Sequence, residues 1–291
     1  MIKALFLLAR PKQWLKNTFV GAAVIFAGRF TELPVLAKTA TLFIIYCLLS
    51  SAIYSFNDVL DREADRLHPA KKNRPVANGD LSPRVATVFG FVLFVGGLSL
   101  AAAMGTFVFV PALIFAGINL TYQKIWKKIV ILDVMAIASG FLVRAWAGAL
   151  GINVPASPWF LLLTGLLALF LGFAKRRYEL VSLKSKPADH RLVLAEYSLP
   201  YLDQIINSLL AAIIITYSLW AFNFNKRANP HYLMLTVPVV IYVLYRYLHL
   251  IYQPNGGDSP ENMILSDPPL LISIGIWTVA SGFIIKFFYL Y

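Results

Sequence analysis

Asn57-Asp58-Val59-Leu60-Asp61-Arg62-Glu63-Ala64-Asp65 closes an apolar run that begins at Thr39 and continues to Phe56. Three aspartates therefore stand at the end of a segment long and apolar enough to lie in a bilayer. Carboxylates cost free energy near hydrocarbon, so acids at the tip of a membrane helix are a functional-site expectation by default.

The rest of the chain is built like that run. Of 291 residues, 59% are hydrophobic and 14% charged, where a soluble domain carries roughly 25% charged residues. Such a chain cannot clothe a water-facing surface. It reads as an all-α polytopic membrane protein, one helical bundle in a single domain over residues 1–291. The net charge is +12, and the basic residues lie between the apolar runs. That placement favours anionic lipid or an anionic substrate and disfavours nucleic acid. Cys47, the one cysteine, sits inside an apolar run, which excludes an intramolecular disulfide and a thiolate zinc cage. The apolar stretch from Ala4 to Ala9 is too short for a signal core and is interrupted by Arg10-Pro11-Lys12, so no cleaved signal is expected.

Nine apolar stretches are long enough to span, near 13–30, 37–60, 83–103, 106–124, 129–151, 157–174, 201–223, 231–252 and 267–289. Leu150-Gly151-Ile152-Asn153-Val154-Pro155 and Asn255-Gly256-Gly257-Asp258-Ser259-Pro260 mark turns between them. Lysine and arginine alternate sharply in placement. The head and every second loop carry Lys3, Arg10, Lys12, Lys16, Arg62, Arg66, Lys71, Lys72, Arg74, Arg84, Lys124, Lys127, Lys128, Lys175, Arg176, Arg177, Lys184, Lys186 and Arg191. The other side carries little beyond Arg29, Lys38, Lys226 and Arg227. The positive-inside rule puts the first side in the cytoplasm of a plasma-membrane protein, with the C-terminus outside. The same charges, plain topology signals on one reading, would also meet a charged cytosolic substrate together.

On a helix turning about 100° per residue, Asp58, Asp61 and Asp65 share one stripe, with Asn57 one turn from Asp61. Three acids so placed repel unless a cation lies between them, and hard oxygen ligands suit Mg2+ bound together with phosphate oxygens. The plain alternative is a solvated loop of acids paired with nearby Arg and Lys. His68-Pro69-Ala70-Lys71-Lys72-Asn73-Arg74-Pro75, followed by Asn78-Gly79-Asp80, reads as a turn-rich loop with His68 a loop residue. Lys71 and Arg74 from that loop suit a metal-bound diphosphate.

Asn-Asp-x-x-Asp-x-x-x-Asp followed by His-Pro-x-Lys-x-x-Arg-Pro, at the end of the second of nine membrane helices, resembles the UbiA superfamily of intramembrane prenyltransferases. The resemblance runs over essentially the whole chain. It implies nine helices around a lipid-open cavity and Mg2+-dependent cleavage of a diphosphate. The prenyl-diphosphate members carry a second aspartate motif at the end of the sixth helix. Here that position reads Gly172-Phe173-Ala174-Lys175-Arg176-Arg177-Tyr178-Glu179-Leu180. This departure is similar to the decaprenyl-phosphate phosphoribosyltransferase branch. So are the head Arg10-Pro11-Lys12-Gln13-Trp14-Leu15-Lys16-Asn17, the Tyr122/Lys127/Leu132-Asp133/Gly140–Ala145 segment, and Ser218-Leu219-Trp220-Ala221-Phe222.

The branch implies phosphoribosyl diphosphate as donor, a polyprenyl (decaprenyl) phosphate as acceptor, self-association into a trimer, and supply of arabinose units for the cell envelope. Its chemistry needs three anionic groups and one metal motif, and the chain offers one acid cluster and several basic ones. The roles expected on that reading are as follows. Asp58, Asp61 and Asp65 hold Mg2+ on the donor's diphosphate and Asn57 orients it. Lys71, Arg74, Tyr122, Lys127, Lys175, Arg176 and Tyr178 hold the donor's phosphate groups. Asp133 sits near the sugar, with Arg144 eleven residues on, about 16 Å deeper on nearly the same helix face. Lys12, Gln13, Trp14, Lys16 and Asn17 take the acceptor phosphate at the interface, or serve only as a juxtamembrane anchor. Arg246 is read as snorkelling from a helix end. Two other readings stand against this one: a prenyltransferase joining a prenyl diphosphate to an aromatic or other acceptor, and a transporter or lipid-binding protein without turnover.

Overall fold

The computed structural model describes residues 1–67, 71–182, 192–224, 231–253 and 260–289. Expectations for His68, for Lys184, Lys186 and Arg191, for Lys226 and Arg227, and for the turn at 255–259 lie outside the described residues. Among those described there is no strand, as the composition predicts. Among the described residues, eight helices are long and apolar enough to cross a membrane: Leu33–Leu60, Pro83–Ala103, Thr106–Lys124, Leu132–Gly151, Pro158–Val181, Leu199–Asn223, Tyr232–Ile251 and Pro268–Phe288. The chain forms two compact units: residues 1–24, 32–126 and 139–156, and residues 25–31, 127–138 and 157–291.

In the first unit, α1 (Ile2–Ala9) leads into a 3-10 helix over Pro11–Gly21 and a short α2 (Ala22–Phe26). Then come α3 (Leu33–Leu60), α4 (Arg62–Leu67), α5 (Pro83–Ala103), α6 (Thr106–Lys124), and most of α7 (Leu132–Gly151). The expected first span, near 13–30, therefore takes a different form. Its Lys12, Gln13, Lys16 and Asn17 dilute the hydropathy, and it is not one of the eight apolar helices. Yet it runs antiparallel to α3. The Trp14 indole donates to Ser51 Oγ at 3.0 Å, Asn17 reaches Cys47 Sγ at 3.3 Å, and Val20 packs in one cluster with Leu42. A 3-10 helix rises about 2.0 Å per residue, so its 11 residues cover about 22 Å. It packs along α3 as a helical segment wound tighter than an α-helix.

Around α3 the first unit's core gathers Leu42, Ile45, Tyr46, Leu49 and Ile53 with Ala112 and Phe115 of α6 and Val143 and Ala147 of α7. Glycines set the closest approaches. A Cβ on Gly97 of α5 would meet Leu49 of α3 at 3.0 Å, and one on Gly148 of α7 would lie 2.1 Å from the Val20 carbonyl oxygen. Helices in lipid gain by such close backbone packing, since no hydrophobic effect drives them together.

The second unit holds α8 (Pro158–Ser182), α9 (Leu199–Asn223), α10 (Val237–Ile251), α11 (Pro260–Ser266) and α12 (Pro268–Ile284). Phe170 and Phe173 of α8, Leu202, Ile206 and Leu210 of α9, and Leu244 and Tyr247 of α10 form its main core. Ile272, Ile276, Val279 and Phe283 of α12 stay exposed at helical spacing, a lipid-facing stripe. Polar caps start three of the helices: Ser82 accepts from Val85 N–H on α5, Ser198 from Tyr201 N–H on α9, and Asp267 from Leu270 N–H on α12. In each, proline occupies the first turn, where its missing N–H costs nothing. Arg246 is held by Asp267 at 2.7 Å instead of reaching out alone.

Candidate catalytic site

The acid cluster belongs to the first unit. Asp58 stands in the last turn of α3, Asp61 caps that helix, and Asp65 lies on α4. The stripe survives the joint, because Asp61 N–H bonds the Asn57 carbonyl and Asp65 N–H bonds that of Asp61. Asp58 and Asp65 are buried. Asn57 and Asp61 are half-buried. The segment 71–81 folds back over them through a turn at Asn78-Gly79, where Gly79 has φ 93° and Asn78 Oδ1 accepts from Asp80 N–H. Val76 and Leu81 pack under that segment against Ala4 and Leu8, which fixes its position. Arg66 ties it down by donating to the Ala77 carbonyl at 3.1 Å.

Arg74 then sits where both acids meet. One of its nitrogens, Nη1, lies 3.2 Å from Asp58 Oδ1 and 2.6 Å from Asp65 Oδ2. Asp58 Oδ1 also pairs with Arg10, the residue between α1 and the 3-10 helix. The sequence reading gave Arg10 no site role. Arg10 has φ 52° and ψ 62°, left-handed for a residue with a side chain, and its guanidinium rests 4.8 Å from the centre of the Tyr54 ring.

A nitrogen cation placed between two carboxylates marks a position where a metal cation fits. Among the described residues, no three His, Cys, Asp or Glu side chains converge as an all-protein cage. Two carboxylates leave coordination to be completed by phosphate oxygens and water, which is how Mg2+ is usually held. Lys71, half-buried, lies in the same segment as Arg74. Tyr122, at the end of α6, keeps its hydroxyl buried without a hydrogen-bond partner among the described residues.

Deeper in the first unit, Arg144 of α7 is buried. It donates to Asn17 Oδ1 at 2.8 Å, to the Gly140 carbonyl at 3.0 Å and to Ser50 Oγ at 3.4 Å. Its guanidinium lies over Phe115 at 4.3 Å. Ser50 is eight residues before Asp58 on α3, about 12 Å along the helix. Asn17 is fully buried in this cluster, so it does not wait at the surface for an acceptor phosphate. Its amide is taken up by Arg144, Ser50 and Cys47. Trp14 likewise turns its N–H inward to Ser51, while Lys12 is exposed and Gln13 and Lys16 half-buried.

In the second unit, Asp133 and Arg176 are paired with each other. Asp133 is fully buried, its Oδ2 holding Arg176 Nε at 2.6 Å and its Oδ1 accepting from the Tyr197 hydroxyl at 2.8 Å. Arg176, also buried, reaches Glu179 as well. Tyr197 OH accepts in turn from Ile131 N–H, whose φ is 70°. Burial pushes the Tyr197 phenol well above its usual range, so it stays a donor to Asp133. Asp133 and Arg176 thus pin the start of α7 to α8 and to the segment before α9. Both side chains are buried, and Tyr197 and Glu179 complete the network around them. Lys127, Lys175 and Tyr178 are half-buried.

A family model described as the UbiA prenyltransferase family matches residues 17–274. A decaprenyl-phosphate phosphoribosyltransferase from Corynebacterium glutamicum is 34% identical over 95% of this chain and 84% of that one. Its counterpart from Mycolicibacterium smegmatis is 32% identical over 99% of this chain and 94% of that one. In structure, the fold is similar to that of a UbiA homolog from Archaeoglobus fulgidus solved with GPP and Mg2+. The TM-score is 0.72 at 20% identity, covering 97% of this chain and 99% of that one. Eight helices long and apolar enough to span among the described residues, an aspartate motif at the end of α3 and a family match over most of the length agree: this integral membrane protein belongs to the UbiA prenyltransferase family.

Proposed function

We propose that residues 1–291 act as one Mg2+-dependent transferase, moving a 5-phosphoribosyl group from phosphoribosyl diphosphate to a polyprenyl (decaprenyl) phosphate and releasing diphosphate. The observation that carries the metal–diphosphate part is the single cation position shared by Asp58 and Asp65 around Arg74 Nη1. The near-full-length relatives named as decaprenyl-phosphate phosphoribosyltransferases support the choice of donor and acceptor. The stretch Lys175-Arg176-Arg177, basic where the resemblance to prenyl-diphosphate members implies acids, speaks against a second metal and so against the prenyltransferase alternative.

Mg2+ when bound would draw charge from the departing diphosphate. The chain's own residues do the rest by position and charge. Asp58 and Asp65, with Asp61 on the same stripe, would hold the cation, and Asn57 would orient the diphosphate beside it. Lys71 and Arg74 meet the diphosphate oxygens. Tyr122 offers its unpartnered hydroxyl to a ligand oxygen. Lys127, Lys175 and Tyr178 are assigned to phosphate, and Lys12 and Lys16 to the acceptor headgroup at the interface. The bond from ribose C1 to the diphosphate oxygen breaks as the acceptor's phosphate oxygen forms its bond to C1 from the opposite face. The anomeric centre inverts, with no covalent intermediate. The basic loops and the N-terminus face the cytoplasm of the plasma membrane, the C-terminus lies outside, and the working form is a homotrimer.

The test is direct. Purified protein in lipid nanodiscs is given labelled phosphoribosyl diphosphate, decaprenyl phosphate and Mg2+. A phosphoribosylated lipid is the expected product, and Asp61→Asn should lower turnover roughly 100-fold or more while the protein stays folded. A prenylated aromatic formed from prenyl diphosphate in place of that lipid would decide for the alternative. Full activity of the variant would remove the metal assignment.

A further inference from the structure

We infer that Arg10 is a diphosphate-binding residue of this site, and that it and Arg74 occupy the metal's carboxylates until metal and diphosphate arrive together. The inference rests on the metal–diphosphate reading above. Asp58 Oδ1 is the acceptor for both guanidiniums. A divalent cation coordinated at that oxygen would face two positive charges at contact distance, so the arginines must leave it. A diphosphate brings the oxygens they can move to, in the paired geometry a guanidinium prefers. Metal alone offers them no such partner, and so competes poorly for Asp58.

Two features single out Arg10 from a surface cation that happens to find an acid. Its backbone is held at φ 52°, ψ 62°, a conformation that costs a residue with a Cβ free energy and concentrates at functional sites. That conformation turns the chain from α1 into the 3-10 helix and sets the side chain across 48 residues of sequence onto Asp58. The face of the Tyr54 ring, 4.8 Å away, gives the guanidinium a second resting surface on the same helix, so it can release the carboxylate without leaving the site. Arg74, bridging Asp58 and Asp65, changes partners in the same exchange.

The exchange has a signature that a structural role lacks. Mn2+ binding to the purified protein in nanodiscs is followed by the electron paramagnetic resonance of free Mn2+, with and without inorganic pyrophosphate. In the wild type, pyrophosphate should tighten Mn2+ binding at least tenfold. Arg10→Gln should bind Mn2+ alone about tenfold more tightly, because Asp58 is relieved of one competitor. It should also lose most of the gain from pyrophosphate. Arg10→Lys, which keeps the charge but not the fork, should fall between. If both Arg10 variants bind Mn2+ alone no more tightly than the wild type, or keep the full pyrophosphate gain, the exchange is wrong. Asp58→Asn and Asp65→Asn separate the two levels of argument. If either leaves Mn2+ binding in the presence of pyrophosphate unchanged, the metal reading itself fails. If both abolish it while the Arg10 variants behave as wild type, only the role of Arg10 fails.

Discussion

At the scale of single residues, Arg144 donates its hydrogen bonds to groups that carry no charge. Asn17, Ser50 and the Gly140 carbonyl are all neutral. A buried guanidinium of this kind persists only if its donors are satisfied, and the phenyl face of Phe115 adds a cation–π contact. Arg144→Met should take the shorter of two hydrogen bonds from the buried Asn17 oxygen, leaving it only Ser50 Oγ at 3.3 Å, at a cost of roughly 1–3 kcal/mol. Adding Asn17→Leu removes the under-satisfied oxygen. The double variant should therefore be less unstable than the two single changes summed, with a coupling of about 1 kcal/mol or more in thermal unfolding. Strict additivity would mean that the two side chains do not depend on each other. The same residue shows how far a sequence can be read at this scale. An arginine deep in an apolar run announces that it needs partners, but Asn17 is 127 residues away and carries no mark of the pairing. Asp58, Asp65 and Arg74 were legible because they are neighbours in sequence and helix geometry brings two of them together. Arg10 and Tyr197 were not, since each is supplied from 48 to 64 residues away. The surroundings of Arg176 were hidden for a related reason: a run of basic residues shows charge but not burial, and Asp133 and Glu179 pair with it.

At the scale of elements, the traverse Pro11–Gly21 decides how the first unit is packed. An 11-residue 3-10 helix is long for its kind. Its tighter winding lets residues 14 and 17 reach down α3 to Ser51 and Ser50 while Val20 lies against the backbone of α7. Hydropathy counts apolar side chains, so a traverse that spends its polar residues inward reads as the weakest of the nine stretches. The contact at Gly148 is a sharp test of this arrangement. Gly148→Ala would put a carbon 2.1 Å from the Val20 carbonyl oxygen, which belongs to backbone and cannot swing aside. The variant should lose roughly 3 kcal/mol or more, or fail to fold. Gly96 of α5 has nothing within 4 Å of the same position, so Gly96→Ala should be neutral or gain up to about 1 kcal/mol from helix propensity. Comparable melting temperatures for the two variants would mean that α7 and the 3-10 helix are not packed this closely.

At the scale of the whole molecule, composition alone was enough to place the chain in a bilayer, because 14% charge leaves too little polar surface for water. Turns, caps and glycine contacts then set the individual helices, and those depend on details that composition averages away. What joins the scales is the number of crossings, since it fixes which face of the membrane each loop meets. If the 3-10 helix is a true traverse, Lys3 on α1 and Lys38 near the start of α3 lie on opposite sides, although only the 3-10 helix, the short α2 and a turn separate those helices. Both side chains are exposed, and Cys47 is buried, so the native thiol gives little background. Single cysteines at Lys3 and at Lys38 should then react with a membrane-impermeant thiol reagent from opposite faces. In right-side-out vesicles only the cysteine at position 38 should be modified, and in inverted vesicles only the one at position 3. Labelling of both from one face would reduce the first segment to a hairpin on the surface. It would also move the basic head, and Arg10 with it, to the same side as Lys38, where the charge distribution predicts few cations.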